Sequence, residues 1–409
     1  MRILLVGLNY APEVVGIAPY NTELAEYLVS RGHQVTVLTS FPYYPHWRID
    51  PSYRRRWPFV VERINGVRVV RSPFLLPGSR QTAFQRILFD SSLALTTLMA
   101  SAGVGALDTV ICVSPPLQLG VTSWLIARPR RARLILHLQD IVPDAALSIG
   151  IMHEGKAARL ARRLEHFVYS HADDISVISQ GFLDNLSRKG VPAVKLALAP
   201  NWVDTARFRA VRDPAVRAAL GAVDGETLVL HTGNMGAKQG LETVLDATAL
   251  LGDDSVVVTL IGDGNHRREL EARGTALGLK NLRFRALQTD YSATLAAADI
   301  LVLAQRGRLV ESVAPSKLLS YMASGKPVVA AVNELSEAAR LISLAKCGMV
   351  VPPEEPPALA AALRKLHVRP KTCSEFGDAG RRYVTEHFNR STILKQWVKL
   401  VEEPPTERT

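Results

Sequence analysis

The chain has 409 residues, 47% hydrophobic and 21% charged, a globular composition that excludes a disordered or fibrous protein. That length is too great for one ordinary core and suggests about two or three domains. The formal net charge is +11, and residues 1–205 hold most of the excess, with 22 Lys and Arg against 15 Asp and Glu.

Such an excess suits nucleic acid, an anionic membrane surface or a phosphorylated substrate. Nucleic acid is set aside, because no zinc spacing, ribonucleoprotein-type aromatic signature or dense basic tail accompanies the charge. Cys112, Cys347 and Cys373 are too few and too scattered for a disulfide framework or a metal knot, so a reducing, cytoplasmic compartment is expected. The opening MRILLVGLNYAPE is soon interrupted by Asn9 and Glu13, and reads as a buried first strand rather than a secretory signal. No run reaches the roughly 18 apolar residues of a membrane span. The nearest, Leu93 to Val104, reads as a helix buried in its own domain in preference to membrane contact.

In chain order, Ile3 to Val6 makes a strand, and a loop with Gly16 leads to a helix with Leu24 and Leu28 on one face, closed by Gly32. His33 to Thr39 is the second strand. FPYYPHW at 41–47 and Arg54 to Arg56 lack periodicity and read as a long loop. Val67 to Val70, Val110 to Val113, Leu134 to Leu138, Ile175 to Ile178 and Leu196 to Ala199 are short strand-like runs between helical patterns, which predicts a parallel, doubly wound sheet. The helix Arg159 to Tyr169 is expected to bury Leu160, Leu164, Phe167 and Val168 and to turn Arg159, Arg162, Arg163 and His166 outward, as a solvated basic face in preference to a membrane-docking surface.

After PNWVD at 200–204 the pattern breaks, and a second series follows: Leu228 to His231, Val256 to Ile261, Leu282 to Phe284, Ile300 to Leu303, Val328 to Val332 and Met349 to Val351. Two α/β domains result, 1–205 and 206–384, with a last helix within Cys373 to Val401, about 385–409, crossing back onto the first.

Three strand-end turns fall on one edge of the second sheet. GNMGAKQG at 233–240 offers backbone N–H groups and Lys238; IGDGN at 261–265 is the second; the loop with Glu311, Ser312, Ser316 and Lys317 is the third. Ser316 and Lys317 open a helix, where an anion is favoured. Neither GxGxxG nor a Walker loop occurs, so the convergence of three turns carries the expectation of a diphosphate cleft. In the first domain LILHLQD at 134–140 puts His137 and Gln139 on one face of a strand, with Asp140 where it ends.

Together these segments, with SPP at 114–116, ISQGF at 178–182 and PSKLLSYMASGKPVVA from Pro315, resemble the retaining family 4 glycosyltransferases of GT-B fold, most nearly the colanic-acid-type polysaccharide biosynthesis members. The resemblance spans nearly the whole chain. It implies two Rossmann-like domains facing across a cleft, the first for acceptor and the second for a nucleotide-sugar donor, and transfer with retention. Candidate catalytic residues are His137, Gln139, Asp140, Lys238 and Lys317. Candidate donor contacts are Gly233, Asn234, Gly236, Lys238, Gly262, Gly264, Leu287, Gln288, Glu311, Ser312, Ser316 and Lys317, and candidate acceptor contacts are Asn9, Gly16, Tyr43 and His46.

The chain departs from the family pattern. Asn234 and Gln239 stand at the usual Arg and Lys positions, Ser312 and Ser320 at those of two Glu, and Gln139 replaces a His. No Asp-x-Asp triplet occurs, so no metal or other cofactor is expected, and Lys238 or Lys317 with helix amino termini must stabilise the departing diphosphate. The expected acceptor is a lipid-linked saccharide at the inner membrane surface. A nucleotide-sugar 2-epimerase of the same fold, or a catalytically silent binding subunit, is the alternative.

Overall fold

The computed structural model describes residues 1–44, 46–54, 58–78, 82–141, 144, 155–208, 213–252, 255–308 and 316–403. The chain divides into two compact units, Met1–Pro200 together with the chain from Ile393, and Asn201–Thr392. The break precedes residue 205 because Val203 is already tied to the second unit: its N–H donates to the Phe388 carbonyl at 2.9 Å and its carbonyl accepts from Arg390 N–H at 3.1 Å.

The first unit runs β1 (Arg2–Val6), α1 (Ala18–Ser30), β2 (Gln34–Ser40), β3 (Val60–Ile64), β4 (Val67–Ser72), α2 (Ala83–Ala100), β5 (Thr109–Ser114), α3 (Gln118–Arg130), β6 (Arg133–Leu138), α4 (Lys156–His171), β7 (Asp174–Val177), α5 (Gln180–Arg188) and β8 (Leu196–Leu198). Its sheet has the order β3-β4-β2-β1-β5-β6-β7-β8, with Leu4 beside Thr36 on one side and Val110 on the other. The sheet is parallel as expected except at one edge, where a strand not foreseen, β3, runs antiparallel to β4 and Val61 faces Val70. Asn65 and Gly66, at φ 47° and 86°, close that hairpin with two left-handed residues that an Asn-Gly pair supplies without strain.

The second unit runs α6 (Pro214–Ala219), β9 (Thr227–Thr232), α7 (Glu242–Leu251), β10 (Val256–Ile261), α8 (Arg267–Ala276), β11 (Leu282–Arg285), α9 (Tyr291–Ala297), β12 (Ile300–Ala304), α10 (Ser316–Ala323), β13 (Val328–Ala331), α11 (Glu337–Ala345), β14 (Gly348–Val351), α12 (Pro356–His367) and α13 (Pro370–His387). Its sheet, β11-β10-β9-β12-β13-β14, is parallel throughout. Alternate strand residues feed two cores, Leu230, Leu301 and Leu303 on one face and Val229, Val302 and Val329 on the other. Each fully buried side chain of this kind contributes about 1.5–3 kcal/mol.

The single helix expected over Cys373 to Val401 is two: α13 ends at His387, and α14 (Arg390–Glu402) restarts beyond Phe388. From Ile393 on, α14 belongs to the first unit, where the Trp397 ring lies 4.8 Å edge-to-face from His137.

Both sheets change winding direction once. β1 lies between β2 and β5, and β9 between β10 and β12, so each sheet has a switch point at which two loops leave in opposite directions. The carboxyl ends of those strands are where an open α/β sheet accepts a ligand.

Candidate functional site

At the second switch point, β9 ends in His231 and Thr232 and α10 begins with Ser316 and Lys317. Lys317 Nζ lies 3.4 Å from His231 Nε2, while His231 Nδ1 donates to the Val302 carbonyl at 3.2 Å. That bond leaves the Nε2 lone pair toward the ammonium and fixes a neutral imidazole. Burial and the Lys317 charge hold His231 well below the ordinary imidazole range. Burial also lowers Lys317, to about 8. The partly buried amine therefore carries its charge at neutral pH in a site of weak screening.

Two tyrosines fix this arrangement. The Thr232 N–H donates to Tyr321 Oη at 2.8 Å, and Thr232 Oγ1 lies 3.2 Å from Tyr291 Oη. Tyr321 sits on α10 one turn beyond Lys317, so the helix start cannot slide along β9 without breaking a buried hydrogen bond.

The glycine loops meet Lys317 from the other side. A Cβ on Gly233 would lie 3.3 Å from Lys317 Nζ, and a Cβ on Gly262 would run into the Gly233 carbonyl oxygen. A Cβ on Gly264 would meet the Met235 carbonyl and Asn234, and the Met235 N–H donates to the Asp263 carbonyl at 2.8 Å. Gly233, Asn234, Gly236, Gly262, Gly264 and Lys317 thus form one group at the strand ends. Ser316 is exposed at the start of α10.

Lys238 lies in a short turn, Ala237–Gln239, whose placement depends on Arg306. The Arg306 N–H donates to the Lys238 carbonyl at 3.0 Å, and its guanidinium reaches the Ala237 carbonyl, Glu242 and Glu354. Leu287 and Gln288 are exposed after β11, where Gln288 Nε2 donates to the Ala286 carbonyl. Glu311 and Ser312 lie outside the described residues.

In the first unit, a residue that sequence reasoning passed over organises the loops at the carboxyl end of β1. Glu13 is buried; its carboxylate accepts from Asn9 Nδ2 at 2.8 Å and from the Tyr43 and Tyr44 N–H groups at 2.9 and 2.7 Å. Burial raises its carboxyl above the usual range against the pull of those three donors. Gly16 faces the Tyr44 ring across 3.6 Å of would-be Cβ contact, and His46 is exposed.

Two of the candidate residues are buried. Tyr43 is 4% exposed, its ring packed among Trp47, Phe74 and Phe89. His137 is also 4% exposed; Nδ1 lies 3.0 Å from Ser176 Oγ, Nε2 lies 2.8 Å from Gln139 Nε2, and burial lowers it to about 3. Both ring nitrogens are engaged, and the imidazole holds the Gln139 amide at the end of β6. Gln139 and Asp140, at the end of β6, remain partly exposed.

His231, Glu13, Arg306, Thr232 and Tyr321 were not foreseen. A lone strand His and an acid in a loop have many ordinary roles, and only their tertiary partners distinguish them. The usable signal was position: His231 and Thr232 close a strand directly before the GNMGAKQG loop.

Residues 15–202 match the Glycosyl transferase 4-like domain family, and residues 226–368 match Glycosyl transferases group 1. The chain is 32% identical, over 97% of its length and 99% of the relative, to the putative colanic acid biosynthesis glycosyl transferase WcaI of Escherichia coli. It is 26% identical, over 80% of each chain, to the probable glycosyltransferase WbjE of Pseudomonas aeruginosa. Among solved structures it is similar to sucrose-phosphate synthase of Thermosynechococcus elongatus, at TM-score 0.76, 20% identity and 98% coverage of both chains. It is also similar to Anabaena HepE in complex with UDP-glucose, at TM-score 0.71 and 18% identity, over 98% of this chain and 99% of that one. With two switch-point sheets and these matches along nearly its whole length, the chain belongs to the family 4 glycosyltransferases of GT-B fold.

Proposed function

We propose that the protein transfers a sugar from a nucleotide-diphosphate sugar to an acceptor hydroxyl with retention, in polysaccharide assembly. The second unit, in this reading, holds the donor and the first the acceptor. The observation that carries it is the charged Lys317 amine beside Gly233 and His231, at the strand ends where a diphosphate is accepted. The relatives add support, since HepE is described in complex with UDP-glucose and WcaI as acting in colanic acid biosynthesis.

The acceptor oxygen attacks the anomeric carbon on the face the leaving group departs from. The bond from that carbon to the phosphate oxygen breaks, the bond to the acceptor oxygen forms, and the acceptor proton passes to the leaving phosphate oxygen. Lys317 and the N–H groups of the 233–236 and 262–264 turns offset the charge that develops on the diphosphate. Lys238 is a second cation for the same group. Gln139 and Asp140 contact the transferred sugar, Asn9, Gly16 and His46 border the acceptor, and no metal is required.

A lipid-linked saccharide at the cytoplasmic face of the inner membrane is the proposed acceptor, in keeping with the basic first half. Mass spectrometry of products from a nucleotide-sugar panel with a cell-derived lipid acceptor tests the whole reading. A glycosylated lipid is expected, with NMR of the new linkage showing the anomeric configuration of the donor. Turnover of a nucleotide sugar without any acceptor would instead favour an epimerase.

A further inference from the structure

The outer side of the first unit's helical layer has a composition that neither packing nor the proposed chemistry uses. α2 buries Phe89, Leu93 and Thr97. Its opposite stripe, Phe84, Leu88, Ser91, Leu95 and Met99, is exposed, with Phe84 at 67% and Leu95 at 61%. These positions are three and four apart, so they form one continuous line along the helix. The two charges of α2, Arg86 and Asp90, pair with each other at 3.1 Å and lie off the stripe. A helix that merely faced water would carry polar groups there.

The surface continues sideways. α2 packs on α3 and α3 on α4, with Trp124 edge-to-face on Phe167 at 5.3 Å. α4 then turns Arg159, Arg163 and His166 outward, and with them Leu160, which is 68% exposed although the sequence pattern placed it inside. Apolar side chains thus lie beside guanidinium groups on one side of one layer. In the aromatic loop at 41–47, Phe41 and Tyr43 are buried.

We infer that the outer face of α2, α3 and α4 docks the protein on an anionic lipid bilayer. The α2 stripe enters the headgroup–acyl boundary, and Arg159 and Arg163 meet the lipid phosphates. This rests on the reading that the acceptor is lipid-linked, and it specifies the face that contacts the membrane. An apolar stripe alone would suit a second copy of the chain equally well. The arginines decide against that, since two copies meeting through this layer would bring like charges together.

The test is flotation of the full chain with vesicles of phosphatidylglycerol and phosphatidylethanolamine, and with vesicles of phosphatidylcholine alone, at low salt. The protein is expected to float with the anionic vesicles only. Leu95→Asp with Met99→Asp, and separately Arg159→Glu with Arg163→Glu, should each lower the bound fraction constant at least about ten-fold. All four positions are exposed, and unchanged melting curves and circular dichroism spectra would show the variants intact. Leu95→Gln with Met99→Gln serves if the Asp pair melts early.

The inference is overturned if wild type stays unbound on anionic vesicles, if both pairs float like wild type, or if light scattering finds a vesicle-free dimer that the Leu95 and Met99 changes disrupt. Flotation that behaves as expected in a protein that transfers no sugar would count against the proposed function and leave the docking face standing.

Discussion

Lys317 Nζ stands 3.4 Å from the Nε2 lone pair of His231, and the other nitrogen of that imidazole is committed to the Val302 carbonyl. A cation on the first turn of one helix is thereby aimed by the penultimate residue of the neighbouring strand. The pair holds a charge in a poorly hydrated place, which costs stability when no anion is present.

Lys317→Met should therefore stabilise the ligand-free protein at neutral pH. Burial lowers the amine to about 8 from 10.5, so the folded state binds its proton less readily than the unfolded state does. The destabilisation is complete below about pH 8 and fades as pH rises toward 10.5. For a partly exposed side chain the gain is of order 1 kcal/mol after allowance for solvent screening. Urea unfolding of both proteins across that interval should show the curves converging; a constant offset would contradict the assignment.

The glycine turns should respond unequally to an added methyl group. Gly262→Ala forces a Cβ into the Gly233 carbonyl at φ 139°, and should cost about 3 kcal/mol or more. Gly278→Ala, also at positive φ but with nothing within 4 Å, should cost only about 1 kcal/mol of backbone strain. Equal losses in denaturant midpoint would mean that the two second-unit loops do not pack as described.

Glu13→Ala orphans Asn9 Nδ2 and the Tyr43 and Tyr44 N–H groups, and should cost about 2–3 kcal/mol while loosening the loop after β2. Glu13→Gln keeps an acceptor and should cost less. Because burial raises the folded carboxyl, the wild-type charge is a liability at pH 7. The penalty of Glu13 ionisation is absent below the unfolded carboxyl range and complete above the folded one. Stability profiles on the acid side of neutrality check this.

Arg306→Ala separates folding from binding. Its ion pairs to Glu242 and Glu354 are partly exposed, at 3.0 Å each, so the melting temperature should hardly move. Nucleotide-sugar KM should rise several-fold, because the turn carrying Lys238 loses the guanidinium that meets the Ala237 carbonyl. A large drop in melting temperature would make Arg306 a structural residue and nothing more.

The strand series, two-unit plan and glycine turns were legible in the sequence, since period, strand length and Gly position are local properties. The antiparallel β3 was missed although Asn65-Gly66 announces a hairpin, because Val60 to Ile64 is interrupted by Glu62 and Arg63 and lacks the apolar run of its neighbours. Tyr43 and His137 read as site residues because polar and aromatic groups at strand ends often are. Their burial arises from side chains far away in sequence, Phe89 and Trp397. Glu13 and His231 acquire meaning only through tertiary partners, Tyr43 and Tyr44 for one and Lys317 for the other.

The most direct measurement is calorimetric titration of a nucleoside diphosphate panel, UDP included, into wild type and Lys317→Met across neutral and alkaline pH. Wild type should bind at least one diphosphate, with affinity falling as pH rises through about 8, and Lys317→Met should bind it roughly ten- to a hundred-fold more weakly at pH 7. Wild-type affinity for no member of the panel, or equal affinity in the two proteins, would contradict a diphosphate site built on Lys317.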